Sequence, residues 1–377
     1  MPLRYLTAGD SHGPGLMGIL EGVPAGLDLS VEGINADLRR RRSGHGRSSR
    51  QQIETDDARV VSGLYRGKTT GAPIGIYLEN SGAKPEDLAT PVYTPRPGHA
   101  DLAGMLKYDL PDARPIWERA SARETAMRVA LGAVAKQILE SIGAAVFSRV
   151  IGIGEVFSYL APARDLIDFD DIRQVHLDAE RSPVRCAEKS TSDNMIKAID
   201  QASSDGDSLG GSIEVLVPNL PIGLGSHVHW DRRLDTRLAG ALMSIPSAKS
   251  VEIGENTSSL PGSESQDQIF SLGGKSYRRT NIAGGLEGGI SNGMPVVARV
   301  FFKPLPTIRN SLFTVNVQTG KEEVADYLRS DICVVPAGSV IAEAVCALVL
   351  GDAILESFGD DTMANIIERV KQKKSRA

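Results

Sequence analysis

Between residues 119 and 142 apolar side chains recur at three- and four-residue spacing, with Met127, Leu131, Val134, Ile138 and Ile142 on one stripe. This spacing predicts an amphipathic helix with one buried face. A second helix is predicted over 234–244. A third, from about Val340 to Phe358, is apolar nearly all round between Val340 and Leu350. It needs cover on several faces and belongs inside a layered fold. Strand patterns occur at 59–63 and 75–78, around a turn, and again at 211–217 and 295–302. Strands and helices are mixed without the strict alternation of a doubly wound sheet, which points to an α+β fold. Residues 158–205 and 255–280 are polar and read as surface loops, and 371–377 as a frayed, charged end.

Composition narrows the partners. The 377 residues are 41% hydrophobic and 24% charged, as in globular proteins generally, and the length alone suggests two domains of ~150–200 residues. No low-complexity linker separates two halves, so one domain over 1–377 is expected, with 359–377 a charged tail. A net charge of −5 and only 5% aromatic residues argue against a nucleic-acid partner. The apolar run from Val340 to Leu350 is cut by Glu343 and falls short of the ~20 residues of a membrane span, so no membrane association is expected. The N-terminus lacks the ~7–15 apolar residues of a signal peptide. Cys186, Cys333 and Cys346 form no C-x-x-C pair, so free thiols in a reducing cytoplasm are expected.

Three glycine-containing turns imitate nucleotide-binding loops and fail. In Gly63-Leu64-Tyr65-Arg66-Gly67-Lys68-Thr69 one residue is missing between the glycines, and the following Thr70-Gly71-Ala72-Pro73 cannot start a phosphate-binding helix. Gly273-Gly274-Lys275-Ser276 has Ile269 in place of the first glycine, and Gly152-Ile153-Gly154 is followed by Phe157 where a dinucleotide fingerprint needs Gly or Ala.

Other segments carry chemistry. His12, His45 and His99 each lie in a loop rich in Gly or Pro, where a histidine is either solvated surface or a functional group. No H-x-x-x-H or H-x-x-E-H spacing supports a metal. Six arginines fall within residues 39–50. That segment fits a solvated basic face, a nucleic-acid arm, or several guanidiniums converging on a small polyanion. Arg119-Ala120-Ser121-Ala122-Arg123-Glu124-Thr125 opens the predicted helix at 119. Its small residues and first-turn amides suit a phosphate, and Ser121 with Glu124 has the spacing of a capping box.

Taken together these segments resemble the chorismate synthase family. The matching motifs are Gly9-Asp10-Ser11-His12-Gly13, the loop from Arg41 to Arg47, Pro97-Gly98-His99-Ala100-Asp101, and Arg119 through Ala126. Ala241 through Pro246, Val251 through Gly254, Asn281 through Gly293, and Arg329-Ser330-Asp331 complete the set. The resemblance covers about residues 5–357 in order and is weakest at 158–205, 255–280 and after Gly359. Asp10 stands where Glu is commoner, Ser330 where many members have His, and Ala337 where many have Arg, which marks a subtype.

The resemblance implies an α+β, single-domain β-α-β sandwich, with antiparallel sheets around a helical layer, assembled as a homotetramer. It implies an anti 1,4-elimination of phosphate and the C6 hydrogen from 5-enolpyruvylshikimate-3-phosphate, giving chorismate. The family reaction requires reduced FMN, bound noncovalently, without net oxidation. Carried over by position, His12 would be the acid near the departing phosphate, His99 would protonate the flavin, and Asp331 would act as base. FMN would contact Arg119, Ala120, Ser121, Pro246, Ser247, Gly288, Lys303, Pro304, Leu305, Pro306, Thr307 and Arg329. Arg41 and Arg47 match a pair attributed either to NADPH, as a flavin reductant, or to substrate phosphate. Ser11 and Arg123 would touch substrate. The rival readings are a flavin reductase and a nucleic-acid-binding protein using the arginine run.

Overall fold

The computed structural model describes residues 3–48, 55–81, 83, 85–160, 162–326, 330–359 and 361–376. Two antiparallel sheets enclose a layer of helices. The first sheet has the order Arg4–Ala8, Gly15–Glu21, Ile74–Glu79, Ala58–Ser62. The second runs Ala248–Ile253, Val296–Phe302, Gly211–Val217, Phe147–Ile153, Val156–Phe157. Helix Thr125–Ser141 packs on the first sheet and helix Val335–Phe358 on the second, and the two helices pack on each other. One continuous apolar core includes Leu16 and Ile76 of the first sheet, Met127 and Leu131 between, and Val215 and Val300 of the second. At Gly132 an added Cβ would lie 2.4 Å from the Cβ of Ala344, so only glycine lets these helices approach so closely.

Several sequence expectations need correcting. The predicted helix from 119 is broken: Arg114–Arg119 is one helix, Ala122–Glu124 a 3-10 turn, and the long helix starts at Thr125. No capping box forms, because Glu124 instead bonds Thr7 and Arg128. Ser121 caps only the 3-10 turn, accepting from the Arg123 N–H. The polar stretch 158–205 is no surface loop but holds helices Phe169–Glu180 and Lys189–Ser204. The tail forms helix Met363–Arg376, since Met363, Ile366 and Val370 recur at helical spacing and are buried.

Helix Val335–Phe358 is also longer than expected. Its 24 residues are long and apolar enough to span a membrane by length and composition, yet 89% of its apolar window is buried inside the fold. The fully buried acidic residue within it, Glu343, explains that location. Glu343 accepts hydrogen bonds from Arg40 (2.7 and 2.8 Å), Lys136 (2.7 Å) and Ser148 (2.6 Å). Glu180 and Asp37 complete the cluster through Arg40 and Lys136. A paired network of this kind binds the middle helices to one another, and the same helix carries Ala337, Gly338 and Ile341 in its first two turns, with Val334 just before it, where the cavity opens.

Candidate active site

Helix Val31–Arg42 begins on Ser30, whose hydroxyl accepts from the Gly33 N–H at 3.0 Å. Its last turn holds four arginines, where the negative end of the helix dipole favours cations. They separate by direction. Arg39 pairs with Glu32 at the surface, Arg40 enters the buried network, and Arg41 turns into a cavity of about 400 Å³. Arg41 donates to Thr125 Oγ1 (3.0 Å) and Ala122 O (2.9 Å), which fixes it against the break between the two helices. Arg47, five residues past the helix, reaches the same cavity and donates to Asp331 at 2.7 Å. The Ser48 N–H holds the other oxygen of Asp331 at 2.6 Å. Arg50 and Arg329 lie outside the described residues.

The cavity draws on loops far apart in the chain. Ser11, His99, Ala120, Ser121, Arg123, Pro246, Ser247, Lys303, Leu305, Pro306, Thr307 and Asp331 all line it, as do Arg41 and Arg47. Lys303 Nζ donates to Gly98 O at 2.6 Å, and Ser330 Oγ donates to Thr307 O at 2.7 Å, tying the loops together. Ser247 sits at φ +69°, a left-handed conformation that lets its carbonyl accept from the Lys303 N–H at 2.9 Å.

Other expected residues sit elsewhere. Arg119 is exposed and donates to the Thr7 and Gly9 carbonyls, and neither it nor Pro304 lines the cavity. Gly288 belongs to the hairpin Leu286–Glu287, Ile290–Ser291 and is also off the lining. His12 stands next to the lining residue Ser11 and contacts Glu118. His45 bonds Asp200 at 2.7 Å and is no part of the lining.

Charges here are managed by partners that sequence reasoning missed. Asp101 is fully buried and holds His99 Nδ1 at 2.7 Å and the Arg96 guanidinium at 2.8 and 3.0 Å. Burial pushes its carboxyl up, but the hydrogen bonds and charges of His99 and Arg96 outweigh that and hold it well below the carboxylate range. Asp56, 1% exposed, accepts from Arg123 at 2.5 Å and faces Arg41 at 3.8 Å. Asp101 could have been found from its place in the Pro97–Asp101 motif. Asp56 and Glu118 carry no one-dimensional signal.

Fourteen of the expected residues thus meet in one concave site rich in fixed cations, built between two antiparallel sheets. This is an anion-binding enzyme site on an α+β fold. The chorismate synthase family model matches residues 3–355. The chain is 47% identical to Chorismate synthase 1 of Bacillus cereus, over 98% of both chains. It is likewise 47% identical to Chorismate synthase of Geobacillus sp., over 99% of this chain and 98% of that one. A crystal structure of chorismate synthase superposes with a TM-score of 0.82 at 39% identity, covering 100% of this chain and 98% of the other. The chain belongs to the chorismate synthase family and is a carbon–oxygen lyase of the shikimate pathway.

Proposed function

We propose that the arginine-lined cavity eliminates phosphate from 5-enolpyruvylshikimate-3-phosphate, with reduced FMN held noncovalently beside the substrate. The observation that carries this reading is the convergence of Arg41, Arg47, Arg123 and Lys303 on one cavity. The substrate bears two carboxylates and a phosphate, and guanidiniums bind such groups bidentately. Arg47 Nε is buried without a hydrogen-bond partner among the described residues, a donor that an anion would satisfy. Apolar Ile245, Phe302 and Ile341 on the same lining suit a flavin ring system, and Ser121, Ser247 and Lys303 offer donors to its phosphate and polar edges. Bound reduced FMN would lend electron density that helps expel a poor leaving group.

The chain's own residues do the rest. Arg41 and Arg47 hold the substrate anions, His12 delivers a proton to the departing phosphate, His99 holds a proton at the flavin, and Asp331 takes up the hydrogen lost from C6. NADPH serves as a flavin reductant and is not consumed by the elimination itself. We propose one domain acting in the cytoplasm, a compartment that suits three buried free thiols. The assembly we propose is a homotetramer. Leu6, Met17 and Ile19 on the outer face of the first sheet are 61%, 57% and 50% exposed and give it an apolar surface to bury.

Arg47→Ala tests the anion site. It removes a partner of both substrate and Asp331, so KM rises and kcat/KM falls by ~2–4 kcal/mol in transition-state terms. Steady-state kinetics at saturating reduced flavin measure this, and unchanged kinetics would contradict the assignment.

A further inference from the structure

His12 is gripped by a single residue at several points, and that residue does not itself line the cavity. Glu118 is 3% exposed, at the end of helix Arg114–Arg119. Its backbone carbonyl accepts from the Ser11 N–H at 3.3 Å. Its carboxylate accepts from the His12 N–H at 2.8 Å, and both carboxylate oxygens lie 3.0 Å from His12 Nδ1. Arg114, one turn earlier, donates to the same carboxylate at 3.2 Å. On the other side of the loop, Asn80 Nδ2 donates to the carbonyls of Ser11 (2.8 Å) and Gly13 (3.0 Å).

We infer that Glu118 is a positioning residue for His12, fixing the loop that carries it and keeping the imidazole proton on Nδ1. The role depends on the function proposed above for His12, and the chemistry follows from the acceptor. An ionised carboxylate can only accept, so Nδ1 must carry hydrogen, and Nε2 on the opposite edge is the nitrogen that exchanges a proton with substrate. In the imidazolium both nitrogens are protonated. The Nε2 proton passes to the phosphate oxygen, and the Nδ1 proton stays against Glu118. Burial would push the Glu118 carboxyl up, but the hydrogen bonds and charge of His12 and the bond from Arg114 hold it below its ordinary value, so the acceptor is ionised. His99 has a parallel arrangement, with Asp101 as acceptor and Arg96 as its holder. An orienting carboxylate behind a proton-transferring histidine is a general device, worth orders of magnitude when the tautomer is lost.

The test is Glu118→Gln in the full chain, which keeps side-chain length and one acceptor but removes the charge. Two readouts are taken. Kinetics with reduced FMN saturating should show kcat lowered at least tenfold with substrate KM within about threefold, since proton delivery and not anion binding is impaired. The ¹⁵N signals of labelled histidine, assigned with His12→Gln, should show Nδ1–H for His12 in the unaltered chain and a tautomer mixture in Glu118→Gln. Arg114→Gln leaves the Glu118–His12 contacts in place and should move the His12 signal in the same direction by less. It also serves if Glu118→Gln does not fold. A kcat within twofold, a KM effect without a kcat effect, or an unmoved His12 signal overturns the inference. The ¹⁵N comparison needs no turnover, so an unaltered chain that made no chorismate would count against the proposed function and leave Glu118's hold on His12 to be judged on its own signal.

Discussion

His12→Ala and His99→Ala each lower kcat by a factor of ~10²–10⁴ with FMN and substrate saturating, the range expected when a general acid is removed. Neither change should unfold the protein. Glu118 keeps Arg114 and the His12 backbone N–H, and Asp101 keeps both the side chain and the backbone N–H of Arg96. No buried carboxylate is therefore stranded, and circular dichroism and thermal melting should match the unaltered chain closely. The two variants differ at the flavin. His99 lines the cavity and His12 does not, so the spectrum of bound reduced FMN changes in His99→Ala and stays the same in His12→Ala. Identical spectra would contradict this division of labour.

The pairing that protects these carboxylates was the part hardest to read from sequence. His12, His99, Arg41 and Arg47 announce themselves because they sit in loops rich in Gly or Pro or in a dense basic run. Glu118 looks like an ordinary helical acid, and only the fold brings residue 118 onto residue 12. The broken helix start at 120–124 was hidden for a similar reason. Ser121 and Glu124 have capping-box spacing, but the distant Thr7 and, one turn along the helix, Arg128 take the glutamate. Missed helices have weak apolar stripes. Phe169–Glu180 buries only Ile172 and Ala179, and Lys189–Ser204 buries Thr191 and Ser192 alongside Met195, Ile199 and Ala202. The core helices and the strands at 211–217 and 296–302 were legible because nearly continuous burial leaves a nearly continuous apolar run.

Glu343→Ala is the second large effect, and it falls on stability. Removing this fully buried carboxylate leaves the largely buried Arg40 and Lys136 with one anion fewer, and breaking a buried pair in this way costs about 3–5 kcal/mol. Denaturant unfolding measures it. Activity should fall too, because the helix that carries Glu343 also lines the cavity through Ala337, Gly338 and Ile341. A pH dependence follows from the same cluster. Burial alone would raise the Glu343 and Glu180 carboxyls. Arg40, with Lys136 at Glu343 and Arg185 at Glu180, lowers both, Glu180 from 4.5 to about 2. Groups that titrate lower when folded add stability above their unfolded value of 4.5, and it is lost as pH falls toward about 2. Melting temperature should therefore drop steeply over that acid range, and less steeply in Glu343→Gln.

The central claim is that the cavity performs an elimination that uses reduced flavin without consuming it. The most direct measurement mixes the protein anaerobically with 5-enolpyruvylshikimate-3-phosphate and chemically reduced FMN, omits NADPH, and follows chorismate absorbance and free phosphate together. The account predicts many turnovers, equal amounts of chorismate and phosphate, flavin still reduced at the end, and FMN released by denaturation and desalting. Product limited to one equivalent per flavin, oxidised flavin accumulating with product, or no chorismate at all would contradict it.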